Sequence, residues 1–391
     1  MNDGNRNVPA NVVYERLMSA SDPSADVRFM DMAFALGRRG LGRTWPNPAV
    51  GAVVVRDDGA GVVGRGWTQS GGRPHAETEA LRRAGKAARG ATLYVTLEPC
   101  SHHGRTPPCC DAIVEAGISR VVSAMVDPNP QVAGAGHWRL ANAGITVEVG
   151  LGAQEAQRMH AGHLRRLRDG RPHVTLKLAV SKDGKAGLAG RRPADITGER
   201  ARERVHLMRA MNDAVLTGIG TVLSDNPQLT CRLPGMSERS PVRVVLDRML
   251  RIPADCFLAK SARNTPARDT PVWVLTSDAA PESNEQALIA SGMNVIRIGT
   301  RDGALDLSAT LKELADRGIS RVMVEAGPIL SAAFLRADLV DAAALFRSPR
   351  DIGADGIDAL EGLSLDALTG SPRLALVTTE TVGDDTMETF E

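Results

Sequence analysis

Three side chains of this sequence could together hold a soft divalent metal: His75, Cys100 and Cys109. His75 opens His75-Ala76-Glu77 just after Pro74, Pro99-Cys100 follows Leu97-Glu98, and Cys109 comes after eight intervening residues, Ser101–Pro108. One imidazole and two thiolates are ligands that Zn²⁺ prefers, and three protein ligands leave a fourth position for water, the pattern of a catalytic site. Such an ion lowers the pKa of water toward neutrality, and Glu77, two residues from the imidazole, is placed to shuttle the proton. Attack of that water on an electrophilic C–N carbon of a heterocycle, with protons passed to a ring nitrogen and then to the leaving amine, would release ammonia. The signature of such sites is His-x-Glu followed by Pro-Cys-x-x-Cys. Here a longer loop, Ser101-His102-His103-Gly104-Arg105-Thr106-Pro107-Pro108, separates the two cysteines, which leaves His102, His103 and Cys110 as rival ligands.

The elements that must position these residues can be read around them. Val27–Gly40 carries Met30, Ala33, Phe34 and Leu36 at near-helical spacing and ends in glycines, which predicts a helix. Short β-branched apolar runs predict strands at Ala49–Val55, Thr92–Leu97 and Arg120–Val126, alternating with helical patterns at His75–Ala84 and Cys109–Ala116. This alternation means an α/β sheet covered by helices, with the ligand types on strand–helix junctions. The charged run from Gly162 to Gly170 reads as a linker or an exposed helix end. Beyond it, strands are expected at Val174–Ala179, Ala214–Thr217, Val242–Asp247, Val272–Leu275, Asn294–Ile298 and Arg321–Glu325. Ala201, Val205 and Met208, and then Leu307, Leu311, Leu314 and Ala315, fall on helix faces between these strands. The expected organisation is an arm over 1–26, an α/β unit over 27–150, a linker over 151–170 and a second α/β unit over 171–391.

At 391 residues the chain can build two cores. Its 43% hydrophobic and 24% charged residues exclude disorder and fibrous repeats. Lys and Arg total 47 against 46 Asp and Glu, with only six Phe, four Trp and two Tyr, too little positive charge and stacking surface for a polynucleotide partner. Five cysteines, three of them at 100, 109 and 110, make no disulfide framework. No apolar run opens the chain, so the expectation is a cytoplasmic protein with no membrane span, acting on a small molecule.

In the second half no Gly-x-Gly-x-x-Gly follows a strand. Gly218-Ile219-Gly220-Thr221-Val222-Leu223 puts Leu at the third glycine position, so a Rossmann site is not expected. Two strand-end turns, Gly218–Thr221 and Glu325-Ala326-Gly327-Pro328, are candidate anion sites; equally, Gly and Pro are routine punctuation there.

The run Glu98-Pro99-Cys100-Ser101-His102-His103-Gly104-Arg105-Thr106-Pro107-Pro108-Cys109, with Thr44-Trp45-Pro46-Asn47-Pro48-Ala49-Val50-Gly51 and His75-Ala76-Glu77, closely resembles the bacterial bifunctional deaminase/reductase family of riboflavin biosynthesis. The resemblance implies a cytidine-deaminase-like α/β/α domain, with His75, Cys100 and Cys109 as Zn²⁺ ligands and Glu77 as proton shuttle. Asn47, between two prolines on a turn, would then contact a pyrimidine, although a turn-capping Asn fits the same place.

The second half is similar to that family's reductase, a dihydrofolate-reductase-like α/β domain, along Leu176–Lys185, Arg209–Ala214, Gly218–Arg232 and Pro241–Asp247. It implies NADPH contacts at Ala179, Thr221 and Asp225 and along Gly327, Pro328, Ile329, Leu330, Ser331, Ala332 and Ala333. Substrate contacts would fall on Arg209, Leu229, Arg232 and Glu325, the two arginines suiting a phosphate ester. The chain departs from the family pattern at Asp195-Ile196-Thr197, where Trp-Ile-Thr is common, and at Glu325-Ala326-Gly327, where Glu-Gly-Gly is. The function so implied is deamination of a diaminopyrimidinone ribosylamino 5′-phosphate, then reduction of its ribosyl group to ribityl, in a homodimer or larger assembly through the reductase half. The rivals are a deaminase of another nucleoside or base with a non-catalytic C-terminal binding domain, and a structural zinc protein whose fourth ligand is Cys110 or His103.

Overall fold

The computed structural model describes residues 12–13, 23–56, 61–130, 132–192, 194–264 and 270–391. They fall into two compact units, Met1–Asp169 and Gly170–Glu391.

The first unit has strands β1 (Val12–Val13), β2 (Gly51–Arg56), β3 (Gly61–Trp67), β4 (Thr92–Val95), β5 (Arg120–Ser123) and β6 (Thr146–Val149). Its helices are α1 (Pro23–Gly37), α2 (Ala76–Ala84), α3 (Cys109–Glu115), α4 (Ala135–Asn142), α5 (Ala153–Met159) and α6 (Ala161–Asp169). The sheet order is β1-β6-β5-β4-β2-β3, with β2 antiparallel to both neighbours and the rest parallel. Ala76, Ala80, Cys110, Ile113 and Leu140 pack α2, α3 and α4 on one face, while Met30, Phe34, Ala156 and Met159 pack α1 and α5 on the other. That is the expected α/β/α layering.

Several local expectations shift. Proline at home in a first turn starts α1 at Pro23, four residues before Val27. The strands stop at Val95 and Ser123, although Leu97 and Ala124 remain buried: an apolar run reports burial, not membership of the ladder. Strand β3 was hidden by its glycines. A Cβ at Gly64 or Gly66 would lie 2.3 Å from Ala80 O or 2.1 Å from Ala76 O, so these glycines let α2 lie directly on the sheet. Residues 151–170, read as a linker, instead carry α5 and α6 and fall in the first unit up to Asp169; their charges lie on a solvent-facing side of amphipathic helix. The arm up to Asp22 lies outside the described residues apart from Val12 and Val13, which pair with β6.

The second unit has β7 (His173–Val180), β8 (Lys185–Gly187), β9 (Ala214–Gly218), β10 (Val242–Leu246), β11 (Val272–Thr276), β12 (Asn294–Arg297), β13 (Thr300–Arg301) and β14 (Ala304–Leu305). Then follow β15 (Arg321–Val324), β16 (Ala342–Arg347), β17 (Ile357–Asp358), β18 (Leu376–Val382) and β19 (Asp385–Phe390). Its helices are α7 (Glu199–Ala210), α8 (Ile219–Asp225), α9 (Phe257–Asn264), α10 (Glu282–Ala290), α11 (Leu307–Asp316), α12 (Pro328–Arg336) and α13 (Asp366–Thr369). The main sheet runs β12-β11-β10-β9-β15-β7-β16-β19-β18, parallel through β16 and antiparallel beyond it. From β9 the chain steps outward to β12, then returns to insert β15 between β9 and β7. The strand order therefore reverses at β9/β15, and the crevice beyond the carboxyl ends of strands at such a point is where open α/β sheets bind ligands. No helix of the described residues is long and apolar enough to cross a membrane.

Candidate active sites

In the first unit, His75 caps α2, while Cys100 lies beyond β4 and Cys109 begins α3, so two strand–helix junctions deliver the three candidate ligands. Their donor atoms all lie within 4.8 Å of one another. His75 Nδ1 stands 3.3 Å from Cys109 Sγ and 3.7 Å from Cys100 Sγ. Tetrahedral Zn²⁺ with ordinary Zn–N and Zn–S bonds sets its N and S donors about 3.6 Å apart, so the three groups fit the ion. The rival ligands are resolved: Cys110 Sγ turns into the core, donating to Pro99 O and Gly136 O, and His102 and His103 are exposed and outside the cluster.

Glu77 is buried beside this cluster, and burial pushes its carboxyl up. A hydrogen bond from Cys109 draws the Cys100 thiol down to about 4, with His75 adding to the effect. The Cys100 bond in turn raises the His75 imidazole. Asn47 Nδ2 donates to Gly72 O at 2.8 Å and lies 3.4 Å from His75 Nε2, which places this amide at the rim of the cluster.

Two supporting residues escaped the sequence reading. Thr78 Oγ1 lies 3.9 Å from Cys109 Sγ. Glu98, buried, accepts from Asp127 N (3.0 Å) and Gly134 N (2.9 Å) through one oxygen and from Gly136 N (2.8 Å) and His137 N (3.3 Å) through the other. It thus ties the 127–137 segment beneath Pro99-Cys100, where a Cβ at Gly136 would meet Pro99 O at 2.1 Å. The available signal was a carboxylate in an apolar strand end, since a buried charge must find donors.

In the second unit the residues expected to touch cofactor or substrate gather at the β9/β15/β7 ends. The turn after β9 and the start of α12 face each other: a Cβ on Gly327 would sit 3.8 Å from Thr221 Oγ1, and one on Gly218 would sit 3.3 Å from Leu330. Gly220 has nothing within 4 Å of that position, so the backbone at the start of α8 is open to an anion there. Asp225 is exposed, Thr221 and Ala179 are half-buried, and Ser331 and Ala332 are fully buried, leaving Gly327, Pro328, Ile329, Leu330 and Ala333 accessible. Leu229 is buried, with φ 57°.

Arg209 and Glu325, both expected to contact substrate, grip one another: Arg209 Nε and Nη2 donate to the carboxylate at 2.9 and 2.8 Å, and Nη1 donates to Thr230 O at 3.0 Å. Burial pushes the Glu325 carboxyl up, but Arg209 and Lys177 outweigh it and hold it down at about 2. Lys177 was missed, being the one cation in the alternating strand His173–Val180; burial lowers its pKa. Arg232 is exposed nearby, lowered by desolvation and by Arg209. Three cations around one carboxylate leave net positive charge, which suits a phosphate ester.

The first assembly is that of a zinc-dependent deaminase and the second that of a nucleotide-dependent reductase. Residues 23–125 match the cytidine and deoxycytidylate deaminase zinc-binding region, and residues 172–387 match the RibD C-terminal domain. The riboflavin biosynthesis protein RibD of Escherichia coli K12 is 40% identical over 92% of this chain and 97% of its own length. That of Aquifex aeolicus VF5 is 37% identical over 94% and 98%. The solved structure of Acinetobacter baumannii RibD superposes with a TM-score of 0.82 at 37% identity, covering 94% of this chain and 99% of that one. A Thermotoga maritima structure described as a diaminohydroxyphosphoribosylaminopyrimidine deaminase/5-amino-6-(5-phosphoribosylamino)uracil reductase gives 0.80 at 36%, covering 94% and 99%. The chain belongs to the RibD family, bifunctional deaminase/reductases of riboflavin biosynthesis that use Zn²⁺ and NADPH.

Proposed function

We propose that this chain deaminates 2,5-diamino-6-ribosylamino-4(3H)-pyrimidinone 5′-phosphate in its first unit and reduces the ribosyl group of the product to ribityl in its second. The carrying observation is the His75–Cys100–Cys109 cluster with Glu77 buried beside it. His75, Cys100 and Cys109 would hold the ion, which would act as a Lewis acid that makes water nucleophilic near neutral pH. Glu77 takes one proton of the attacking water and delivers it to a ring nitrogen, then takes the proton of the added hydroxyl and passes it to the 2-amino group, which leaves as ammonia as the carbonyl forms. Asn47 orients the pyrimidine edge.

In the second unit Arg232 and Arg209 face the substrate phosphate, and Glu325, fixed by Arg209, meets the ribosyl portion. Ala179, Thr221, Asp225 and the Gly327–Ala333 stretch would hold NADPH, which would supply the hydride for reduction of the ribosyl group, with the accompanying proton drawn from solvent. Five free thiols suit a reducing compartment, and we place the enzyme in the cytoplasm. We further propose a homodimer through the second unit, whose edge strand β18 is exposed along nearly its whole length. The test is incubation with the diaminopyrimidinone phosphate, with and without NADPH: ammonia appears in both, and NADPH is oxidised only after ammonia release. Ammonia from cytidine instead of this phosphate would overturn the reading.

A further inference from the structure

We infer that one face of the helix running from His160 into α6 positions the deaminase pocket, Arg166 by holding the turn that carries Asn47 and His163 by holding the loop after β5. This rests on the deaminase reading given above and assigns positioning residues to it. Leu164 N donates to His160 O at 2.9 Å, so the helical turn opens at His160, and His160, His163 and Arg166 follow one another at three-residue spacing along one side. Each reaches a different loop. His160 Nε2 lies 3.1 Å from Thr96 O, just past β4; His163 Nε2 lies 3.2 Å from Asp127 Oδ1, past β5; and Arg166 Nη1 donates to Pro46 O, ahead of β2, at 3.0 Å. Strands β4 and β5 are parallel and β2 is antiparallel to β4, so these three loops lie at one end of the sheet, the end from which the chain runs on to Cys100.

The contact of Arg166 is the decisive one. The peptide joining Pro46 to Asn47 is planar, and both of its polar ends are held: its N–H donates to Thr44 O at 2.9 Å, and its C=O accepts from the guanidinium. Fixing that plane fixes the direction in which the Asn47 side chain leaves the backbone. The Asn47 amide then donates to Gly72 O at 2.8 Å and lies 3.4 Å from His75 Nε2. A charged donor makes the stronger kind of hydrogen bond to a carbonyl. His163 does the same for the loop after β5: Asp127 Oδ1 also accepts from Asn129 N at 2.9 Å, and Asp127 N donates to Glu98, the carboxylate beneath Pro99-Cys100. Only 12% of the His163 side chain and 10% of that of Asp127 are exposed. A helix serving merely as a connector would leave such polar groups in water, where they cost nothing to solvate.

The test is steady-state ammonia release by the full chain from the diaminopyrimidinone phosphate, for the wild type, Arg166→Met, Arg166→Lys, Asn47→Ala and the double variant of Arg166→Met with Asn47→Ala. Methionine keeps an unbranched apolar stem and removes the donor; lysine keeps a charged donor. Arg166→Met should raise KM about tenfold, the loss expected of one hydrogen bond from a charged group, with kcat within about threefold of wild type, and Arg166→Lys should recover most of it. In the Asn47→Ala background Arg166→Met should change KM by less than about twofold, because a residue that acts through Asn47 has nothing left to position. Zinc content, and NADPH oxidation with pre-deaminated substrate, should be unchanged and serve as controls for folding. Effects that multiply in the double variant, or a KM that does not respond to Arg166→Met, would overturn the inference. If Arg166→Met fails to fold, His163→Phe against His163→Gln decides by the same measurement, since glutamine keeps a donor for Asp127 and phenylalanine does not. A raised KM in His163→Phe alone supports the inference, and equal KM values overturn it. A wild type that releases no ammonia from this phosphate would instead remove the deaminase reading itself.

Discussion

The two active regions are built in opposite ways. In the first unit the chemistry is concentrated: His75 and Glu77 share one helix start, and Cys100 and Cys109 bound one loop. In the second it is dispersed over the ends of three parallel strands, where Arg209 on α7 reaches Glu325, 116 residues away, and the Gly218 turn meets Leu330. A metal demands few ligands of narrow chemical type at short range, whereas an extended dinucleotide and a sugar phosphate are recognised by backbone and shape over many ångströms. The concentrated site is therefore sensitive to single atoms, and the dispersed one to the packing that brings its parts together.

The sharpest way to break this contrast is Glu77→Gln. Ammonia release should fall by at least about 10²–10⁴-fold while metal analysis still finds one zinc per chain, and NADPH oxidation with pre-deaminated substrate should be unaffected. Loss of the metal would show Glu77 to be structural. Next comes Glu325→Gln, which leaves the buried Arg209 and Lys177 without their counter-charge. Denaturant unfolding should report destabilisation of about 3 kcal/mol, with reductase activity lost and ammonia release retained.

The same pair has a pH signature. Glu325 is held at about 2 in the folded protein against an ordinary 4.5, so its stabilisation is complete above pH 4.5 and fades as the pH falls toward 2. Hydrogen exchange in α7 and β15, compared between wild type and Glu325→Gln, should differ at pH 6 and converge in acid; a difference that persists at pH 2 would refute this. The smallest effect belongs to Cys110→Ala. Zinc content and ammonia release should stay within about twofold, at a cost near 1 kcal/mol for one lost buried sulfur. A fall in zinc content would reinstate Cys110 as a ligand.

Much of this was legible in the linear order. Alternating apolar runs and helical patterns marked two α/β units, and His75, Glu77, Cys100 and Cys109 stood out because ligand chemistry and spacing survive without three dimensions. Strand β3 was not legible, because Gly64 and Gly66 erase the apolar alternation that they exist to make room beside. The helix over 153–159 went unread, and the charged run from 162 to 170, open between a linker and an exposed helix end, is the end of a helix.

Which of the neighbouring thiols and imidazoles joins the ligand set was decided only by folding, since the first turn of α3 points Cys109 toward His75 and Cys110 into the core. Folding likewise turned Arg209 and Glu325 into partners and drew Lys177 in beside them. Local order specifies residue types and the period of their burial. Which distant side chain meets which is settled by strand order, and strand order is a property of the packed sheet.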